Sequence, residues 1–150
     1  MRAFNVSTES TVTDQLIADW AITAMEGGLG YWCDTARAVE RDDHGDWQEL
    51  KGERRDEFVV DGVGPYACPE FWYADSRGYQ LYDPYEEEWV PKVLTLAGML
   101  KALKHQPKLR KGVSDNWFRK VVDRLISEQY DAVDADTLVQ IAVFNEVVYG

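Results

Sequence analysis

Apolar positions follow helical spacing at the two ends of this chain and strand-like spacing in its middle. Near the start, Leu16, Ile17, Trp20, Ala21 and Ala24 form one apolar stripe. The helix they predict begins near Thr11 or Thr13, with Thr11 and Asp14 spaced as a capping box. It ends at Gly27-Gly28, where glycine suits a left-handed cap. Residues 31–39 then predict a strand, Arg41 to Asp46 a polar turn, and residues 47–50 a short return strand. Residues 51–56 are charged and expected to be exposed, and residues 57–61 predict another short strand. Residues 70–74 and 78–82 flank Asp75-Ser76-Arg77 and predict a hairpin, with Tyr79, Leu81 and Asp83 on one face.

Residues 89–94 are expected to be extended, since Pro91 excludes a helix interior. Thr95 caps a predicted helix through Leu96, Met99, Leu100 and Leu103, which Gln106-Pro107 stops. Ser114 or Asp115 caps a second, with Trp117, Phe118, Val121, Val122, Leu125 and Ile126 on its apolar face. Asp134 is expected to cap the last helix, with Asp136 in its first turn. That segment is apolar enough to require burial, so it is expected to be the core of the fold. One helix, several strands and three helices in that order predict an α+β fold: a small antiparallel sheet with one N-terminal helix and about three C-terminal helices. No repeat or linker divides the chain, so residues 1–150 are expected to form a single compact domain.

Charge sharpens the picture. The chain carries 27 acids against 16 Lys and Arg, a formal net charge of -11. The only basic band spans residues 92–111, which hold Lys92, Lys101, Lys104, Lys108, Arg110 and Lys111 and no acid. Such a chain is a poor ligand for a phosphate backbone, so direct nucleic-acid binding is not expected. No apolar window is long enough to span a membrane, and the N-terminus lacks a signal-like run. Cys33 and Cys68 are expected to be reduced thiols rather than a disulfide framework.

The candidate chemistry is sparse. Asp131, Asp134 and Asp136 lack the glycine and distal glutamate of a calcium loop, and capping already explains acids at a helix start. His44, His105 and the two cysteines match no common zinc spacing. No metal, cofactor or catalytic residue is assigned. Two surfaces remain. Glu26, Tyr31 and Trp32, with the Lys101/Lys104 face one helical turn apart, form a candidate ligand site for an anion or nucleotide. Asp42, Asp43, Asp46, Glu86, Glu87 and Glu88 form a candidate partner-binding surface, able to imitate a phosphate backbone.

Two segments carry a resemblance. Thr23-Ala24-Met25-Glu26-Gly27-Gly28-Leu29-Gly30-Tyr31-Trp32, and Asp134 to Gln140 with Phe144-Asn145-Glu146-Val147-Val148-Tyr149-Gly150, resemble small proteins encoded by bacteriophages and prophages. The helix after Thr95 is similar more loosely. The resemblance implies expression in the cytoplasm of an infected bacterium and brings no catalytic residue with it. It suggests a phage accessory protein that acts by binding, as an acidic inhibitor of a host protein, one of defence or DNA binding among the candidates. The alternatives are a small-ligand or nucleotide-signal sponge and, third, an enzyme. Exposed aromatics and opposite charge bands suit a homo-oligomer.

Overall fold

Thr13 ends the second extended segment and caps the first helix. The computed structural model describes residues 3–5, 11–104 and 115–149. Strands β1 (Ala3–Asn5) and β2 (Thr11–Thr13) pair antiparallel, a ribbon the hydrophobic pattern does not announce. Helix α1 (Asp14–Thr23) follows directly, and the Thr13 hydroxyl accepts the Leu16 N–H at 3.2 Å. Thr13 alone is therefore the cap, and Thr11 belongs to a strand instead of a capping box. The chain then widens into a π-helical turn, Ala24–Gly28. Neither glycine has a left-handed backbone. Gly28 serves a different need: a Cβ there would lie 2.5 Å from the Ala132 carbonyl oxygen, so the turn packs directly on another backbone.

The main sheet holds four antiparallel strands in the order β4-β3-β5-β6: β3 (Thr35–Arg41), β4 (Trp47–Glu49), β5 (Arg77–Asp83) and β6 (Glu88–Trp89). Residues 31–33 lie before β3 in a turn, not in the strand expected there. On β5, Tyr79, Leu81 and Asp83 are buried while Gln80 and Tyr82 are half-buried, the expected alternation. The partner of β5 differs from expectation. It pairs with β3 from Thr35↔Tyr82 to Glu40↔Arg77, and residues 70–74 form no hairpin arm. Instead Pro69–Trp72 is a short helix, α3, with Pro69 at its first position. Phe71 and Trp72 are both fully buried, and adjacent residues of a strand would face opposite ways. Nor are residues 57–61 a strand. After the exposed helix α2 (Gly52–Asp56) the chain turns, and only Val60 and Val63 bridge.

Three helices complete the fold: α4 (Leu96–Lys104), α5 (Asp115–Ile126) and α6 (Ala132–Phe144). Thr95 caps α4 by accepting the Gly98 N–H at 3.0 Å. The predicted stop at Gln106-Pro107, the Ser114 cap and His105 lie outside the described residues. Phe118, Val121 and Leu125 bury the apolar face of α5, while Trp117 is exposed. The last helix starts one turn earlier than expected. Asp131 is the cap, accepting the Asp134 N–H at 2.9 Å, and the Asp134 carboxylate reaches back to the Asp131 N–H. Asp134 also takes a bidentate pair from Arg124, at 2.8 and 2.7 Å, tying α5 to α6.

Every residue of α6 from Asp134 to Val143 is buried, so the closing helix is the centre of the core, as its sequence predicts. It packs against α1, α4, α5 and the π-helical turn. Full burial of each Leu or Val contributes about 1.5–3 kcal/mol, and Leu138 and Val139 have no exposed surface. Burial this complete also leaves α6's polar side chains needing partners, and those partners build the site described next.

Candidate functional site

Asp136 sits in the second turn of α6, 2% exposed. Three donors converge on its carboxylate. The Trp32 indole N–H reaches Oδ1 at 2.7 Å, and the Tyr31 hydroxyl and Gln140 Nε2 reach Oδ2 at 2.6 and 2.8 Å. Burial raises the Asp136 pKa above the ordinary carboxylate value, and the three hydrogen bonds pull the other way. Gln140, 1% exposed, also donates to the Tyr31 hydroxyl at 3.0 Å. Its Oε1 accepts the backbone N–H groups of Val148 and Tyr149 at 2.9 and 2.8 Å.

Asn145 makes that last contact possible. It ends α6 in the left-handed conformation, a role asparagine tolerates, and the chain folds back along the helix. The Tyr149 ring then stacks on Trp32 with centroids 5.4 Å apart and planes 14° apart. Phe144 lies against the same indole, also at 5.4 Å. The Tyr149 hydroxyl donates to Asp83 at the end of β5. Burial and the Asp83 charge together raise the Tyr149 pKa, so the phenol stays protonated. Asp83 also accepts the Tyr85 and Glu86 N–H groups, at 2.9 and 3.2 Å, which shapes the β5–β6 turn. From that turn Tyr85 donates to the Tyr31 carbonyl at 3.2 Å. Three distant segments are thus locked at one end of the sheet, leaving Tyr31 52% and Tyr85 66% exposed.

The two proposed sites come apart here in part. Tyr31 and Trp32 meet, but Trp32 is 1% exposed and its ring and N–H are already engaged. Glu26 is exposed on the π-helical turn beside a cavity of about 140 Å³, whose lining includes Gly30, Cys33 and Asp34. Lys101 and Lys104 are exposed on α4, and the Asp136 hydrogen-bond network does not include them. Lys108, Arg110 and Lys111 lie outside the described residues.

The acids separate more sharply. The antiparallel register places Asp42, Asp43 and Asp46 beyond the Glu40↔Arg77 end of the sheet. Glu86, Glu87 and Glu88 lie beyond Thr35↔Tyr82, at the other end, roughly 20 Å away along the strand. Asp42 is occupied in organising its turn, accepting from the His44 and Asp46 N–H groups at 2.9 and 3.0 Å and from Gln48 at 3.1 Å. These bonds, the Asp46 one foremost, lower its pKa. Cations are interleaved there: Arg54 bridges Glu40 and Glu57, and Arg41 lies over Trp47. Arg54 holds the Glu40 carboxyl below its usual range.

Sequence reasoning missed Asp136, Gln140, Asp83 and Tyr149 as one cluster. The available signal was a pair of polar residues one turn apart, Asp136 and Gln140, inside an otherwise apolar helix. Cys33 and Cys68 are both free and buried, and burial raises both thiol pKa values. Among the described residues no three His, Cys, Asp or Glu side chains are grouped to hold a metal ion, and no helix is long and apolar enough to cross a membrane. The arrangement defines an α+β domain whose polar cluster braces an acidic, aromatic end of the sheet. Comparison with protein-family models, curated proteins and solved structures finds no match for this chain.

Proposed function

We propose that this protein acts by binding, and that it presents the Tyr31–Tyr85 end of its sheet to a basic surface on a partner protein. One observation carries the reading. Residues 14–36, 78–91 and 125–149 together hold thirteen acids and no Lys, Arg or His. These same segments are drawn together by the Tyr85–Tyr31, Tyr149–Asp83 and Tyr31–Asp136 hydrogen bonds. The result is a predominantly acidic end, with Arg37 over the Trp89 ring and Arg124 on Asp134 at its margin, and two exposed tyrosines held on a braced support. Tyrosine is favoured at protein interfaces because it offers contact area and a polar tip at low entropic cost. A field of one sign speeds encounter with a partner of the opposite sign.

The opposite end, with Asp42, Asp43 and Asp46, fits the role less well, because Arg41 and Arg54 neutralise it locally. The resemblance to phage-encoded proteins supports a bacterial host protein as the partner and inhibition as the outcome. A nucleotide sponge built on Glu26, Tyr31 and Trp32 has less support. Its cavity is smaller than the ~300–1,000 Å³ of ordinary ligand sites, and its indole is buried.

The test is site-specific photo-crosslinking from position 85 in host lysate, with wild type and two triple variants. Glu86→Gln/Glu87→Gln/Glu88→Gln should abolish the crosslinked product. Asp42→Asn/Asp43→Asn/Asp46→Asn should leave it. Equal yields from both triples would sink the reading.

A further inference from the structure

An open stretch of sheet edge lies beside the exposed helix α2. Strand β4 ends at Glu49, and the last contact beyond it is Leu50 N–H to the Ala38 carbonyl at 2.9 Å. Backbone groups of a strand alternate sides with a period of two. The Ala36 N–H and C=O therefore face the same side as those of Ala38, where no strand among the described residues meets them. The gap is an open cavity of about 410 Å³, walled by Ala36, Ala38 and Leu50 and flanked by Tyr79, Glu49, Lys51 and Arg55. This volume lies within the ~300–1,000 Å³ range of small-molecule sites, and the wall is mainly polar, with Ala36, Ala38 and Leu50 as its apolar part.

Two of those polar groups keep donor capacity to spare. Arg54 is held by Glu40 and Glu57, but its neighbour Arg55 makes no side-chain hydrogen bond or ion pair among the described residues. Tyr79 is 5% exposed, and its hydroxyl oxygen accepts the Tyr66 N–H at 2.9 Å. The proton on that hydroxyl has no acceptor among the described residues. Burial pushes the Tyr79 pKa up to about 12, with Arg55 pulling it down, so the group is a donor at neutral pH. The two groups lie close together, since a methyl placed on Gly64 would stand 3.1 Å from Arg55 Nη2 and 3.8 Å from Tyr79 Oη, and both residues line the cavity. At the rim Lys51 is paired with Glu49 at 3.5 Å, and Glu49 also lines the cavity, so Arg55 is a cation there without an acidic partner among the described residues.

We propose that this cavity is a binding site for a small organic oxyanion, with Arg55 and Tyr79 holding the charged head and Ala36, Ala38 and Leu50 holding the apolar body. A guanidinium fork matches phosphate and carboxylate geometry, and a buried phenol adds a donor that does not titrate in the physiological range. The site stands independently of the acidic end of the sheet.

The experiment is an amide NMR titration with phenyl phosphate, benzoate and inorganic phosphate, following Ala36, Gly52 and Gly64. Saturable shifts at these amides are expected with at least one of the two aromatic acids, and the tighter of the two identifies the head group. Arg55 sits on an exposed helix, so Arg55→Gln should fold normally and weaken binding about tenfold or more, as loss of a charge-assisted hydrogen bond implies. Tyr79→Phe should weaken it about threefold, and Arg119→Gln on α5 should change nothing. Absence of saturable shifts with both aromatic acids would overturn the proposal. So would shifts unchanged in Arg55→Gln, or inorganic phosphate binding as tightly as phenyl phosphate, which would indicate an adventitious ion only.

Discussion

Trp32 and Asp136, 104 positions apart in the chain, meet at 2.7 Å through the indole N–H and a carboxylate oxygen. That bond is one of three that end on the same buried carboxylate. Asp136→Asn keeps the size but turns one acceptor into a donor facing other donors. Each buried group left unsatisfied costs about 1–3 kcal/mol. The variant should lose about 2–4 kcal/mol in urea unfolding, with a fall in Tm of roughly 6–12 °C for a chain of this size. A loss below about 0.5 kcal/mol would mean that the network does not hold the π-helical turn to α6.

The same carboxylate should leave a signature in the pH dependence. Its folded-state pKa is raised above the ordinary aspartate value of 3.8 by burial. The folded state therefore binds this proton more tightly than the unfolded state does. The stabilisation is fully present below pH 3.8 and is lost as pH rises through the raised folded value. The stability difference between wild type and Asp136→Asn should thus be largest in acid and shrink towards neutral pH. Paired urea titrations from acid to neutral pH read it directly, and a difference that grows with pH would reverse the sign and refute the burial argument.

Helices α1, α4 and α5 were legible because each carries an apolar face at helical spacing, and α6 because it is apolar almost throughout; such local patterns need no knowledge of the rest of the chain, whereas the short helices α2 and α3 carry none. The alternation of Tyr79, Leu81 and Asp83 was legible for the same reason. The partner of β5 was not, because Arg37 meets Gln80 across 43 positions and the intervening segment offered a nearer apolar run. Only tertiary packing turns Phe71 and Trp72 inward together. The Trp32–Asp136 contact is less legible still: an aspartate near a helix start reads as a cap, and nothing local says that its carboxylate points into the core. The acids were legible as residues but not as surfaces, since their division between the two ends depends on the β3–β5 register.

Gly27 and Gly28 look alike in sequence and should behave differently. A Cβ at Gly28 would meet the Ala132 carbonyl at 2.5 Å and Asp136 Cβ at 3.2 Å, while one at Gly27 would meet nothing within 4 Å. Gly28→Ala should destabilise by about 1–3 kcal/mol, as overpacking against backbone does. Gly27→Ala, in a turn without positive φ, should be neutral or stabilising by up to about 1 kcal/mol. If glycine were needed as a left-handed cap, both changes would destabilise, so thermal melts of the two variants separate the explanations.

The start of α6 offers a test on a single side chain. Asp131 is exposed, so its truncation removes little packing. It nevertheless accepts the Asp134 N–H at 2.9 Å as the first half of a capping box. Asp131→Ala should cost about 0.5–2 kcal/mol, and Asp131→Asn far less, since asparagine caps about as well. Asp134→Ala should cost more than either, because Asp134 returns the capping bond and also receives the paired donors of Arg124. Were the helix to begin at Asp134, as its sequence first implies, Asp131→Ala would be silent. Chemical denaturation of the three variants decides between the two starts, and hydrogen exchange at the Asp134 amide should rise in Asp131→Ala and not in Asp131→Asn.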